Sequence, residues 1–342
     1  MRHVSSAAPA GNTVRVLGID VGGTTMKAAF RSARAGGRLG RPEHAARAAT
    51  PPDEAAADAL GVFAESLIAR HGPVDAVGLA IPGIVDDVAG IAEFSVAPTW
   101  SGLPLREVMA ARLGVPVALG HDVRLGGLAE GRIGAAARCG DYLFLALGTG
   151  VGGMLCLDGR PRLGPHHRAG ELGHVVVEPG DAGAPCGCGQ RGCLETIASA
   201  SGISRLYQAA TGEGVSAREV ARRAAAGEKR AADVWMTAVD ALATALLGAI
   251  SVLDLELVVL GGGVAKAGRQ LLGPLRQQIS ARATFHRVPR LVGAALGDEA
   301  AVAGAALHAL DLLGCGAHRS RSMNETDEND TKAKQDKKDE IA

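Results

Sequence analysis

Aromatic side chains are scarce in this 342-residue chain, at 3% of its residues. Base-stacking platforms need such rings, so a nucleic-acid partner is not expected. Charge of one sign is missing too: Lys plus Arg and Asp plus Glu each number 36. Nothing in that balance builds a basic face for nucleic acid or an anionic membrane. No uninterrupted apolar run reaches about 18 residues, so no membrane span is expected. The opening MRHVSSAAPAGN lacks the apolar stretch of a secretory signal, and a cytoplasmic location is expected.

Hydrophobic residues make up 47% of the chain, enough for a substantial core, and the length suits two domains. Six cysteines are present, with Cys186, Cys188 and Cys193 crowded together. Without an export signal, that crowding suggests metal rather than disulfide. Cys139, Cys156 and Cys315 read as small core residues.

Apolar runs predict strands over 14–20, 26–30, 74–80, 115–119, 142–147, 154–157 and 257–260. Helical spacing covers 53–70, 105–113, 125–131, 200–210, 217–225, 231–253 and 300–313. Residues 31–50 read as loop or hairpin. Alternating strands and helices argue for α/β layers. The expected domains are a loose leader (1–12), an N-terminal α/β domain (13–121 with a returning helix at 298–316), and a larger α/β domain (122–297). The charged tail, 317–342, is nearly free of apolar residues and should be disordered.

Three glycine-rich turns stand out. Asp20-Val21-Gly22-Gly23-Thr24-Thr25-Met26-Lys27 lies between two predicted strands, which excludes dinucleotide and Walker loops because both open a helix. Its glycines expose backbone N–H groups to an anion, and Thr24 adds a hydroxyl. Asp20 stands where a phosphate should sit, which makes sense if it holds Mg²⁺, while Lys27 can neutralise phosphate charge. Gly148-Thr149-Gly150 echoes that hairpin. Gly261-Gly262-Gly263 ends a strand and opens a helix, where a flat adenosine could approach the backbone. Together the turns resemble the sugar-kinase, Hsp70 and actin superfamily, implying a two-domain actin-like (ribonuclease H-like) fold with duplicated mixed sheets around a cleft.

Downstream, His174, Cys186, Cys188 and Cys193 form a three-cysteine, one-histidine set that can close a tetrahedral structural zinc site. Asp122 follows a strand and precedes a helix at the expected domain junction, a position suited to a base that takes the proton of an acceptor hydroxyl.

Glu171-Leu172-Gly173-His174 followed by the Cys186–Glu195 segment resembles the ROK family (repressors, open reading frames, kinases). The resemblance runs from about Val16 to Leu313. It implies ATP with Mg²⁺, a structural Zn²⁺, and a homodimer. It implies that Glu171, His174 and Glu195 contact sugar hydroxyls, with His174 holding zinc through its other nitrogen. Ile81-Pro82-Gly83-Ile84-Val85-Asp86 matches a turn whose glycine, Gly83, lies close to the sugar. Asp122 matches the family's base, but its E-N-D-x-N segment is here Gly120-His121-Asp122-Val123-Arg124. His121 replaces a sugar-binding asparagine, and Arg124 replaces the later one. Ala97-Pro98-Thr99-Trp100 also departs from the family pattern. His166 and His167 have no counterpart and read as a solvated loop.

The expected activity is an ATP-dependent hexose kinase acting on the 6-hydroxyl of glucose or a close analogue. His121 leaves room for an amino sugar such as kanosamine, N-acetylglucosamine or N-acetylmannosamine. A sugar-sensing regulator is the alternative of another class. Family regulators carry a winged-helix domain ahead of the first glycine turn, and only a short segment precedes Asp20, so an enzyme is expected.

Overall fold

The computed structural model of the protein describes residues 13–34 and 38–315. The expected leader and tail lie outside the described residues.

Two five-stranded sheets repeat one plan. In the first, β1 (Thr13–Val21) turns back into β2 (Thr25–Arg34), flanked by β3 (Glu43–Ala49), β4 (Ala76–Ile81) and β8 (Val117–His121) in the order β3-β2-β1-β4-β8. In the second, β9 (Tyr142–Leu147) turns back into β10 (Val151–Leu157), and β11 (Arg160–Arg162), β12 (Leu257–Gly261) and β13 (Arg290–Gly293) give β11-β10-β9-β12-β13. Each pairs an antiparallel hairpin with parallel strands on one side. β4 is buried along its whole length, as a parallel strand covered on both faces must be. A small antiparallel sheet, β5 (Ile84–Asp86), β6 (Ile91–Val96) and β7 (Thr99–Leu103), leaves the first sheet through Gly83. Gly83 has φ 93°, and a Cβ there would strike the Phe94 carbonyl.

Helices α1 (Ala56–His71) and α2 (Leu105–Leu113) cover one face of the first sheet through Leu60, Phe63, Leu105 and Met109. The other face takes α10 (Ala300–Leu312), which packs on β1 and β4. That approach is backbone to backbone: at Gly78 a Cβ would collide with the Ala305 carbonyl. Helix α3 (Asp122–Ile133) packs on α10 and also on β9 and β10 of the second sheet, so it is the seam between the two. Arg132 clasps Asp311 of α10 with two bonds of 2.7 Å. Buried Glu130 accepts from the Ala135, Ala295 and Leu296 amides, fixing the chain as it crosses back.

The second sheet is covered by α4 (Glu195–Ala198), α5 (Ala200–Thr211), α6 (Ala217–Ala225), α7 (Lys229–Leu253), α8 (Gly262–Ala265) and α9 (Arg269–Arg282). Helix α7 has the length and composition of a membrane span, with a window of mean hydropathy 1.8. Half of that window is buried, and Trp235, Leu242, Leu246 and Ile250 lie in the core of the second sheet.

The fold departs from the sequence expectations in places with clear causes. Residues 31–50 are largely strand: β2 runs to Arg34 and β3 pairs with it. β3, Glu43–Ala49, is an exposed edge with no β-branched residue, so it carries no strand signal. The α9 helix carries a weak sequence signal because Pro274 inside it reads as a breaker, although Leu271, Leu275 and Ile279 form a narrow buried stripe one helical turn apart. Cys156 and Cys315 are buried as expected, but Cys139 is only half-buried.

Candidate active site and metal centre

The first glycine turn joins β1 to β2, with Gly22 and Gly23 at its tip and Thr24 exposed. Its Thr24 carbonyl accepts from the Thr50 amide, and Gly22 N donates to Thr25 O at 3.1 Å. Asp20 and Lys27 face each other across the hairpin in register, 3.4 Å apart. Burial pushes the Asp20 carboxyl up to about 6; the Asp122 charge adds to this and Lys27 opposes it. Asp20, Lys27 and Asp122 therefore share one electrostatic neighbourhood.

Asp122 is the first residue of α3, directly after β8. Its Oδ1 accepts from the Val123 amide at 2.7 Å and lies 3.2 Å from His121 Nε2. Burial holds its carboxyl at about 6, while the side chain keeps 28% exposure, so a ligand can reach it. His121 is buried, and desolvation drops its pKa to about 4, so the ring is neutral at neutral pH. The 3.2 Å approach of Nε2 to Asp122 Oδ1 is a contact and does not fix the ring's tautomer. Nδ1 is buried and has no partner among the described residues. Glu171, Asp87 and Arg124 all act on His121 electrostatically, which brings Glu171 into the same neighbourhood.

The second turn, Gly148-Thr149-Gly150, joins β9 to β10 and leaves Thr149 exposed. It is braced from outside: Glu195 Oε2 accepts from Val151 N at 2.8 Å, and Gly148 O accepts from Ala200 N at 2.8 Å. The third turn starts where Gly261 ends β12 and Gly262 opens α8. Gly261 lies beside Ala146 in register, and Gly262 packs on the Leu147 backbone, so this turn sits at the base of the second hairpin. Gly263 faces open space.

The metal-ligand set converges. The donor atoms of His174, Cys186, Cys188 and Cys193 all lie within 4.8 Å of one another. Cys186 Sγ is 3.7 Å from His174 Nδ1, and Cys188 Sγ is 3.7 Å from Cys193 Sγ. Sulfurs about 2.3 Å from a tetrahedral zinc stand about 3.8 Å apart, so these residues fit Zn²⁺. With Nδ1 turned to the thiols, Nε2 of His174 remains for another partner.

Two further residues belong to the site's surroundings. Arg124, 6% exposed, donates to Val85 O, Asp87 Oδ1 and His167 O. His167 is accordingly no solvated loop residue: it is half-buried, its carbonyl is held, and its Nε2 lies 3.7 Å from Asp86 Oδ1. His166 is exposed as expected. The signal in the sequence was the Asp86-Asp87 doublet opposite an unexpected arginine.

Two sheets of one plan, each with a glycine hairpin, joined by α3 and α10, define a two-domain actin-like α/β fold of the ribonuclease H-like kind. The particular family follows from comparison with known proteins: the chain belongs to the ROK family, whose model matches residues 16–311. It is 32% identical over 312 residues to a glucokinase from Thermotoga maritima, covering 86% of this chain and 96% of that one. It is 35% identical over 250 residues to a kanosamine kinase from Amycolatopsis mediterranei, covering 73% and 80%. A ROK glucokinase structure from Streptomyces griseus, in complex with glucose and AMPPNP, superposes with a TM-score of 0.74 at 28% identity, covering 87% of this chain and 99% of that one.

Proposed function

We propose that this protein is an ATP-dependent hexose kinase that phosphorylates the 6-hydroxyl of glucose or a close analogue, with Asp122 as the base. The observation that carries the reading is Asp122 itself. Its Oδ1 is tied to Val123 N–H, and its half-buried side chain, 28% exposed, has basicity raised by desolvation. Oδ2 is free to accept the proton of the sugar hydroxyl as the new oxygen–phosphorus bond forms and the bond from the γ-phosphorus to the ADP oxygen breaks. A base near 6 is stronger than an ordinary carboxylate yet ionised at neutral pH, which suits that transfer.

The first hairpin cradles phosphate through Gly22, Gly23, Thr24 and Thr25, with Lys27 against its charge. The second does so through Gly148, Thr149 and Gly150, and Gly261, Gly262 and Gly263 take the adenosine. Asp20 holds the Mg²⁺ that accompanies ATP and neutralises phosphate charge. Gly83, His121, Glu171, His174 and Glu195 contact the sugar. Zinc on His174, Cys186, Cys188 and Cys193 braces the segment bearing Glu171 and Glu195 and does no chemistry. One lobe comprises 13–121 with 298–316, the other 122–297, and the work is cytoplasmic.

One observation favours an amino sugar as substrate. His121, which departs from the family pattern, lies among the carboxylates Asp122, Glu171 and Asp87. A sugar ammonium would meet these carboxylates with opposite charge, and a kanosamine kinase is among the relatives.

The test is phosphate transfer from Mg-ATP to glucose, mannose, glucosamine, kanosamine and the N-acetyl sugars, with Asp122→Asn as control. Turnover of one sugar, abolished in the variant, is expected. Sugar binding without turnover on any member overturns the kinase reading.

A further inference from the structure

Arg124 reaches two segments at once with three hydrogen bonds. Its Nη1 donates to His167 O at 2.8 Å; its Nη2 donates to Val85 O at 2.9 Å and to Asp87 Oδ1 at 2.6 Å. Val85 and Asp87 belong to β5 and the turn after it, beside the first sheet. His167 belongs to the loop that leaves β11 of the second sheet. One buried guanidinium on the seam helix thus ties an edge of one half to a loop of the other, two residues after Asp122.

The loop is a run of short turns. Ala169 N donates to Leu163 O at 3.0 Å, His167 N to Gly164 O at 3.3 Å, and Glu171 N to Arg168 O at 3.4 Å. Beyond Arg168 the chain enters Glu171 and then zinc-set His174 with no slack. The second tie, His167 Nε2 to Asp86 Oδ1 at 3.7 Å, reinforces the first. The pair Arg124–Asp87 is desolvated, with side-chain exposures of 6% and 15%, so its charge-assisted bonds are strong and directional. Asparagine, the residue that the ROK pattern carries here, is too short to make all three bonds.

We propose that Arg124 is a positioning residue: with Asp87 it straps the 163–170 loop to the β5 edge and so sets Glu171 at the sugar. This rests on the hexose-kinase reading for Glu171 and adds a residue that the reading does not use. None of the strap's partners lies on a glycine turn, so its ties bear on the sugar side, while the Arg124 charge also pulls the Asp122 carboxyl down.

The test uses the full chain with zinc, as wild type and as Arg124→Asn, Arg124→Lys and Asp87→Asn. Hydrogen–deuterium exchange over 163–170 is followed without ligands, and KM for sugar and for ATP in turnover. Arg124→Asn is expected to speed exchange in the loop and raise the sugar KM about ten- to a hundredfold, the scale of lost charge-assisted bonds, with ATP KM and zinc content unchanged. Asp87→Asn should move both readouts the same way. Lysine lacks the planar fork and should rescue only in part. Unchanged loop exchange in both Arg124→Asn and Asp87→Asn overturns the strap, as does a rise in ATP KM equal to that for sugar. Should the wild type turn over no sugar, the kinase reading falls while the exchange data still decide the strap.

Discussion

The two hairpins are alike in backbone and opposite in chemistry. Both turn through three residues, Gly22-Gly23-Thr24 and Gly148-Thr149-Gly150, between antiparallel strands of equivalent sheets. In register, the Asp20–Lys27 pair of the first corresponds to the Ala146–Gly152 pair of the second. The first hairpin carries its own ion pair; the second is uncharged and leans on Glu195 and the start of α5. A duplicated frame therefore does not imply duplicated work. One hairpin carries charge of its own, and the other is backbone held in place by the segment that follows Cys193.

Asp122 stands apart from both hairpins, at the seam, and its loss should be the largest effect. Asp122→Asn is expected to lower kcat about 10²- to 10⁴-fold, the usual worth of a positioned base, with little change in either KM. The variant should also be more stable at neutral pH. The folded carboxyl ionises near 6, against an ordinary 3.8, so ionising it opposes folding; that cost grows as pH rises from about 4 to 6 and stays above. The amide removes a cost of about 1–3 kcal/mol. Melting curves should show a gain of a few degrees at neutral pH that vanishes toward pH 4. In the wild type, kcat/KM should fall on the acid side with a midpoint near 6, because the base must be ionised.

Copying the second hairpin into the first is the next break. Asp20→Ala gives the first hairpin the neutral residue of the second and leaves Lys27 unpaired. Catalytic efficiency with Mg-ATP should drop about a hundredfold, on the scale of charged interactions, while sugar binding measured alone persists. Chelating zinc does the reverse. Sugar affinity should fall about ten- to a hundredfold as Glu171 and Glu195 lose their brace, while the first hairpin keeps its exchange protection.

Much of this was legible because it is local. Gly-rich turns between apolar runs, the spacing of His174, Cys186, Cys188 and Cys193, and Asp122 at a strand–helix junction are short-range patterns. The sheets' inner strands were visible as apolar runs for the same reason. What stayed hidden is carried by long-range partners. β3 is a strand only because β2 lies beside it, and the Gly18–Gly78 surface makes sense only under α10. Arg124 looked like a lost asparagine until Val85, Asp87 and His167 were found around its guanidinium. His167 looked solvated because nothing in its own segment names its partners.

The smallest predicted effect sharpens the comparison most. Glu195 Oε2 accepts from Val151 N, the first residue after the second turn, so the hairpin depends on a carboxylate supplied from outside. Glu195→Gln keeps an acceptor for that amide but weakens the bond to that of a neutral pair; Glu195→Ala removes it and leaves the N–H unmet. The loss to ATP KM should be a few-fold for Gln and about tenfold for Ala, the worth of one hydrogen bond and of a stranded donor respectively. The first hairpin takes its outside contact from the Thr50 amide and none from Glu195, so its amide exchange should be the same in both variants. Because Glu195 is also proposed to touch the sugar, both KM values should rise together, unlike Asp20→Ala, which moves only the nucleotide side. If Glu195→Ala changes the sugar KM alone, the second hairpin stands unaided and the contrast between the two turns reduces to the ion pair of the first.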